Sequence, residues 1–226
     1  MLRRILGFSL IVVLGGCAQS NDTPSATASG ELALPIPSGY CQLAESNPMD
    51  REMIETMRRV NANNNRVLSV FADCDDLERF RKLGLPMDHT GTYFAPKSAD
   101  GKRLSVPRGK FVQQVANQIK RSDIMAKAKR QARKNVEQSG TDLKLEANVT
   151  KLIDTDENAA YMGSLQTWDY GGGNKQTTSV VTALTVVQGR VVSLNMFAPH
   201  KNNASTRKQL AETQKNVRRL LDANGG

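Results

Sequence analysis

The sequence predicts an α+β fold, a single domain over residues 31–224 built on an antiparallel sheet of about four to six strands packed by helices. Three observations predict it. The carboxy-terminal half is strand-rich: Asp142 to Ile153, Ala159 to Tyr170, Thr177 to Val187 and Arg190 to Ala198 follow one another across short turns, as in an antiparallel meander. Three other stretches repeat apolar residues at the helical period. About 190 residues remain beyond the first thirty or so, enough for one domain with a sizeable core. A hydrophobic fraction of 39% and a mean hydropathy of −0.45 suit a soluble globular body.

In chain order, Ala18 to Gly30 (AQSNDTPSATASG) has one charge and no apolar period, the composition of a tether with nothing to bury. As a flexible coil its thirteen residues reach about 20 Å r.m.s.. Glu31 to Cys41 (ELALPIPSGYC) opens the domain. Pro35 and Pro37 cannot donate to a ladder, so this stretch reads as an edge strand or an extended entry segment. Asn47-Pro48-Met49-Asp50 starts a helix, with Asn47 as cap, Pro48 at the first helical position and Asp50 facing the positive end of the dipole. Met53, Ile54, Met57 and Val60 are its buried stripe, and the run Asn61 to Asn65 ends it.

Val67 to Cys74 (VLSVFADC) is nearly all apolar and so belongs inside the sheet. Asp75 or Asp76 is expected to start a short helix that Gly84 ends. Thr90 to Pro96 alternates weakly and reads as a further strand. Ser105 and Pro107 open the longest helical pattern, with Phe111, Val112, Val115 and Ile119 as its stripe. One helix from Pro107 to Gln138 would run about 48 Å, longer than such a domain is wide, so a break is expected near Ser122-Asp123. In the meander, Tyr170 to Asn174 is a turn and Gln188-Gly189 a tight hairpin. Pro199 stops the last strand. Ser205 or Thr206 then starts a final helix whose stripe is Leu210, Val217, Leu220 and Leu221.

The amino terminus addresses the chain. Arg3 and Arg4 precede an apolar run of about ten residues, too short for the roughly 20 that a spanning helix needs, and small residues follow. That is the pattern of a secretory leader. Leu14-Gly15-Gly16-Cys17 resembles the lipobox of bacterial lipoproteins. The resemblance implies a signal peptide over 1–16, lipidation of Cys17, and a lipidated cysteine with its tether over 17–30. It also implies residence in the bacterial cell envelope, with the membrane as a partner through the anchor. Ala18, rather than Asp, after the cysteine implies the outer membrane, facing the periplasm. No later stretch approaches 18 consecutive apolar residues, so nothing else is expected to cross a bilayer. With Cys17 lipidated, Cys41 and Cys74 are left as an even pair in an oxidising compartment. A disulfide between them is expected, the alternative being two small buried hydrophobes that never meet.

The closing stretch, Arg190-Val-Val-Ser-Leu-Asn-Met-Phe-Ala-Pro199 with its following loop and amphipathic helix, resembles the end of PsbP-like and DcrB-like domains. The Leu34-Pro-Ile-Pro-Ser-Gly-Tyr40 entry is similar to their opening strand. The likeness covers about a third of the chain. It implies helices against an antiparallel sheet and a non-enzymatic binding or assembly factor, and it carries over no catalytic residue.

Catalytic signals are few. His89 and His200 are the two histidines, and neither lies in a HExxH spacing or beside a second histidine or cysteine at ligand spacing. There is no GxSxG and no phosphate loop, and no cofactor or metal is expected. Asp73, Asp75, Asp76 and Glu78 cluster, but such a cluster more often marks a solvated helix start. The stronger feature is charge. Between Lys97 and Lys134 twelve cations face only Asp100 and Asp123, a net +10 in a chain of net +9. Lys120, Arg121, Lys127, Lys129, Arg130, Arg133 and Lys134 are its densest part and the candidates for contact with an anionic surface. In an exported chain that surface is lipid or an envelope component rather than nucleic acid. The expected function is therefore that of a membrane-anchored lipoprotein whose non-catalytic domain binds, or assists assembly of, an envelope component. The alternatives are an envelope enzyme with an unrecognised carboxylate or thiol site, and a structural lipoprotein that docks on anionic lipid.

Overall fold

The computed structural model describes residues 31–120, 126, 130, 133–134, 137–138, 144–169 and 175–226. In chain order the elements are β1 (Tyr40–Gln42), α1 (Pro48–Asn61), β2 (Asn65–Asp73), α2 (Cys74–Leu83), β3 (Thr90–Pro96), α3 (Arg108–Ile119), β4 (Lys144–Thr155), β5 (Ala160–Asp169), β6 (Lys175–Val187), β7 (Arg190–Pro199) and α4 (Asn203–Asp222). The strands form one sheet in the order β1-β2-β3-β7-β6-β5-β4, antiparallel throughout. This is the α+β fold expected, with seven strands instead of four to six. The extra strands arise because the entry segment supplies a three-residue edge strand, and because β3 pairs with β7, Thr90 opposite Phe197, which fuses the amino-terminal strands to the meander.

Local chemistry places the helix starts. Asn47 caps α1 by accepting from the N–H groups of Met49 and Asp50, with Pro48 at the first position. For α2 the cap is Asp73, not Asp75 or Asp76: its carboxylate accepts from both of their N–H groups, so the helix begins two residues earlier than expected. The start of α4 is likewise Asn202 instead of Ser205 or Thr206. Asn202 and Ser205 bond each other's backbone N–H reciprocally, so Ser205 stands three residues inside the helix as the second half of a capping box. α3 stops at Ile119, three residues short of the expected break. The Tyr170 to Asn174 turn lies outside the described residues.

The meander hairpin between β6 and β7 turns on two residues with positive φ, Gln188 at 49° and Gly189 at 76°. That is the backbone hand that matches strand twist, and Val187 faces Arg190 directly across it. At the other side β4 ends the sheet. Its ladder with β5 shifts register between Leu145 and Ala147 and again between Leu152 and Asp154, bulges that break up an otherwise continuous edge.

Alternation along the strands separates two faces. On one, α1 and α2 pack Met53, Ile54, Met57, Val60, Leu77 and Phe80 against Val70 and Ala72 of β2. On the same face α3 packs Phe111, Val112, Val115 and Ile119 against Ala160, Met162, Leu184, Val186 and Val191. On the other, α4 lays Val217, Leu220 and Leu221 over Phe71, Tyr93, Tyr161, Ala183, Val192, Leu194 and Met196. The entry residues Leu32, Leu34 and Ile36 lie in that second layer beside α4. The middle of the sheet is thus covered on both sides, which is why β6 and β7 bury successive residues on both faces. Gln209 docks α4: its amide donates to the carbonyls of Ser179 and Met196, and its Oε1 accepts from Ser179 Oγ.

Candidate functional site

The sequence-predicted site residues fall in four places. Cys17, with the leader and tether, lies outside the described residues, as do Arg121, Lys127 and Lys129. Cys41 and Cys74 form a disulfide, Cα to Cα 4.9 Å, that joins the edge strand β1 to the first turn of α2. Lys120 caps the end of α3, exposed, beside an open groove of about 560 Å³ whose other wall is Thr155, Asp156 and Glu157. Arg130, Arg133 and Lys134 are helical and exposed.

The clustered carboxylates do structural work. Asp76, buried at the start of α2, accepts from the backbone N–H of Asp88 (3.0 Å) and His89 (2.9 Å) and pairs with Arg79, so it ties the loop after α2 back to its first turn. His89 Nδ1 stands 3.4 Å from the same carboxylate. Asp50 is fully buried, accepts from Ala44 N–H at 2.8 Å and meets the guanidinium of Arg81 with both oxygens. That hydrogen-bonded pairing pushes the Arg81 guanidinium further up than its ordinary value. Asp156 folds the β4–β5 hairpin by accepting from Asn158, Ala159 and Tyr161 Oη. Asp50, Asp76 and Asp156 therefore have both oxygens engaged by backbone amides, arginines or a phenol, and Asp73 has one oxygen engaged by two backbone amides.

Tyr40, Tyr93 and Tyr161 have their phenols pushed up from the ordinary value of 10.0 by burial, reinforced at Tyr161 by its bond to Asp156. The folded chain keeps these three protons where the unfolded chain sheds them. Their stabilising contribution is complete below about pH 10 and drains away as pH rises beyond it, at up to about 1.4 kcal/mol per pH unit for each tyrosine. Denaturant titrations from about pH 9 to 12 are expected to show that fall, and Tyr161→Phe to make it shallower. A slope unchanged by Tyr161→Phe contradicts the assignment.

One feature of the interior was not expected from sequence. On the face shared by α1, α2 and α3, between their two apolar clusters, the sheet carries a band of neutral polar side chains. Asn195 of β7 stands between Thr92 of β3 and Thr182 of β6, with Ser193, Ser164, Gln166 and Thr178 around them, all buried. Thr92 Oγ1 meets no hydrogen-bond partner among the described residues. The signal in the sequence is the even spacing, four in Thr178/Thr182 and two in Ser193/Asn195 and Ser164/Gln166, which marks one face of a strand but not which layer covers it.

Among the described residues no group of three or more His, Cys, Asp or Glu comes together as metal ligands, and no helix is long and apolar enough to cross a membrane. The chain matches no protein-family model and no curated protein sequence.

Proposed function

We propose that the protein is a bacterial envelope lipoprotein: the leader over 1–16 is removed, Cys17 carries the lipid, and residues 17–30 tether a domain that binds, or assists assembly of, an envelope component without catalysing a reaction. The observation that carries this reading is the Cys41–Cys74 bond. Disulfides persist in oxidising compartments, and this one uses both domain cysteines, leaving Cys17, at the end of the lipobox-like stretch, as the single remaining cysteine. The engaged carboxylates Asp50, Asp73, Asp76 and Asp156 also favour binding over catalysis, and the bonded cysteines remove the thiol from the enzymatic alternative.

In cells fed labelled palmitate, the wild-type chain is expected to carry label and to sediment with membranes. Cys17→Ser is expected to lose the label completely and to move to the soluble fraction. Label retained in Cys17→Ser ends this reading.

A further inference from the structure

The last helix has a second face that the core does not use. Its inward positions Gln209, Thr213, Asn216, Val217, Leu220 and Leu221 are buried against the sheet. Outward stand Arg207, Lys208, Lys215 and Arg218, all exposed. Among the described residues none of the four has a carboxylate at ion-pair distance. The carboxylates of the helix are Glu212, partly buried on the flank near Tyr40, and Asp222 in the last turn. Arg207 to Arg218 makes a cationic stripe about 16 Å long at 1.5 Å per residue.

The tether leaves from the same layer. Asn224, just past the helix, donates from Nδ2 to the carbonyl of Ala33 at 2.8 Å, and Ala33 N–H donates back to Asn224 Oδ1 at 3.0 Å. This two-way clamp pins the start of the described chain beside the end of α4. From there Arg218 is about 9 Å along the helix and Arg207 about 25 Å. A flexible coil of thirteen residues spans about 20 Å r.m.s. and more when drawn out, so on the reading of residues 17–30 as a tether a bilayer holding Cys17 can lie flat along the stripe. Lys110 and Lys120 of α3 are on the far side of the sheet from that exit.

We infer that the outward face of α4, through Arg207, Lys208, Lys215 and Arg218, docks the domain on an anionic phospholipid bilayer. The occupant follows from the sign of the stripe and from where the tether leaves. The orientation relies on the lipid anchor proposed above. It turns the face covered by α1, α2 and α3, with the polar band beneath it, away from the membrane.

The test uses the processed chain carrying Cys17→Ser, so that no acyl chain contributes, and vesicles of phosphatidylglycerol with phosphatidylcholine, assayed by co-sedimentation. Each cation near such a surface changes partition by about fivefold, so K208Q/K215Q is expected to lower it about 25-fold. K110Q/K120Q removes the same charge from α3 and is expected to change it about twofold or less. Both pairs are exposed, and an unchanged Tm shows that each variant is folded. A loss of about fivefold or more in the α4 pair that exceeds the loss in the α3 pair supports the inference. A smaller loss, an equal loss in both pairs, or no binding of the parent chain overturns it. Palmitate labelling of the unmodified chain reports on the anchor separately, so a failed docking face and a failed lipoprotein reading give different results.

Discussion

A chain with both Cys41 and Cys74 replaced by serine is expected to lose about 3–4 kcal/mol of unfolding free energy, which for a domain of this size lowers Tm by about 10 °C. The bond closes a loop with a sequence separation of 33, and that loop contains all of α1 and β2. Its removal frees a long stretch of the unfolded chain, the state from which most of the stabilisation derives in the chain-entropy account. The native state depends on it locally as well. β1 is three residues long, pairs only with β2, and sits at the rim of the sheet. Without the bond it keeps that short ladder and the hydrogen bond from Leu43 N–H to the Val70 carbonyl. Denaturant unfolding without reductant measures the loss. Dithiothreitol should bring the wild-type chain down to the double variant and leave the variant where it is. A difference below about 1 kcal/mol would falsify the loop argument. In hydrogen exchange, the Leu43 and Cys74 amides, bonded across this corner, are expected to lose protection first.

The second large effect is expected at Gly91. A Cβ placed there would lie 2.1 Å from Phe71 Cε2 and 2.3 Å from its Cζ, with Met196 Sδ at 3.0 Å. Phe71 is fully buried, faces Gly91 across the β2–β3 ladder, and meets Tyr40 edge-on and Tyr93 at a tilt, each with ring centroids 5.6 Å apart. The ring occupies the space that the glycine leaves. Gly91→Ala is therefore expected to cost about 3 kcal/mol by overpacking, and Phe71→Ala about 3–5 kcal/mol by opening a cavity in the middle of the α4-side core. Because one steric contact causes the first loss, the two sites must couple. Gly91→Ala in a Phe71→Leu background is expected to cost at least 1 kcal/mol less than in the parent. Additive losses in that cycle would mean that the alanine clashes with something other than the ring.

Much of the architecture is legible locally. Asn47-Pro48 with the stripe Met53, Ile54, Met57 and Val60 predicts α1 within a residue, since a cap, a proline and a 3.6 period coincide. The same agreement of local signals predicts the β6–β7 hairpin at Gln188-Gly189. The starts of α2 and α4 lie two to four residues before the positions the sequence predicts, because several Asp, Ser, Thr and Asn residues close together can all cap. Which of them does is decided by the backbone that leads in. Asp73 wins because β2 delivers it extended, and Asn202 because Ser205 reciprocates.

Of the candidate site, the sequence by itself determined the inventory. It holds a leader-like start with a cysteine at its end, one further pair of cysteines, a surplus of cations and few groups suited to catalysis. Only the tertiary structure decided which groups share a surface. Composition directed attention to Lys97 to Lys134, where the cations are densest. The Ala33–Asn224 clamp sets the start of the described chain beside α4, whose four outward cations are sparser in sequence but aligned in space. Likewise Thr92, Thr182 and Asn195 are up to 103 positions apart and become neighbours through the β3–β7 and β6–β7 ladders alone. Charge and periodicity are properties of short windows of chain. Which layer a helix joins, and what lies on its far side, depend on burial shared among segments remote in sequence, and that is settled when the sheet closes over its core.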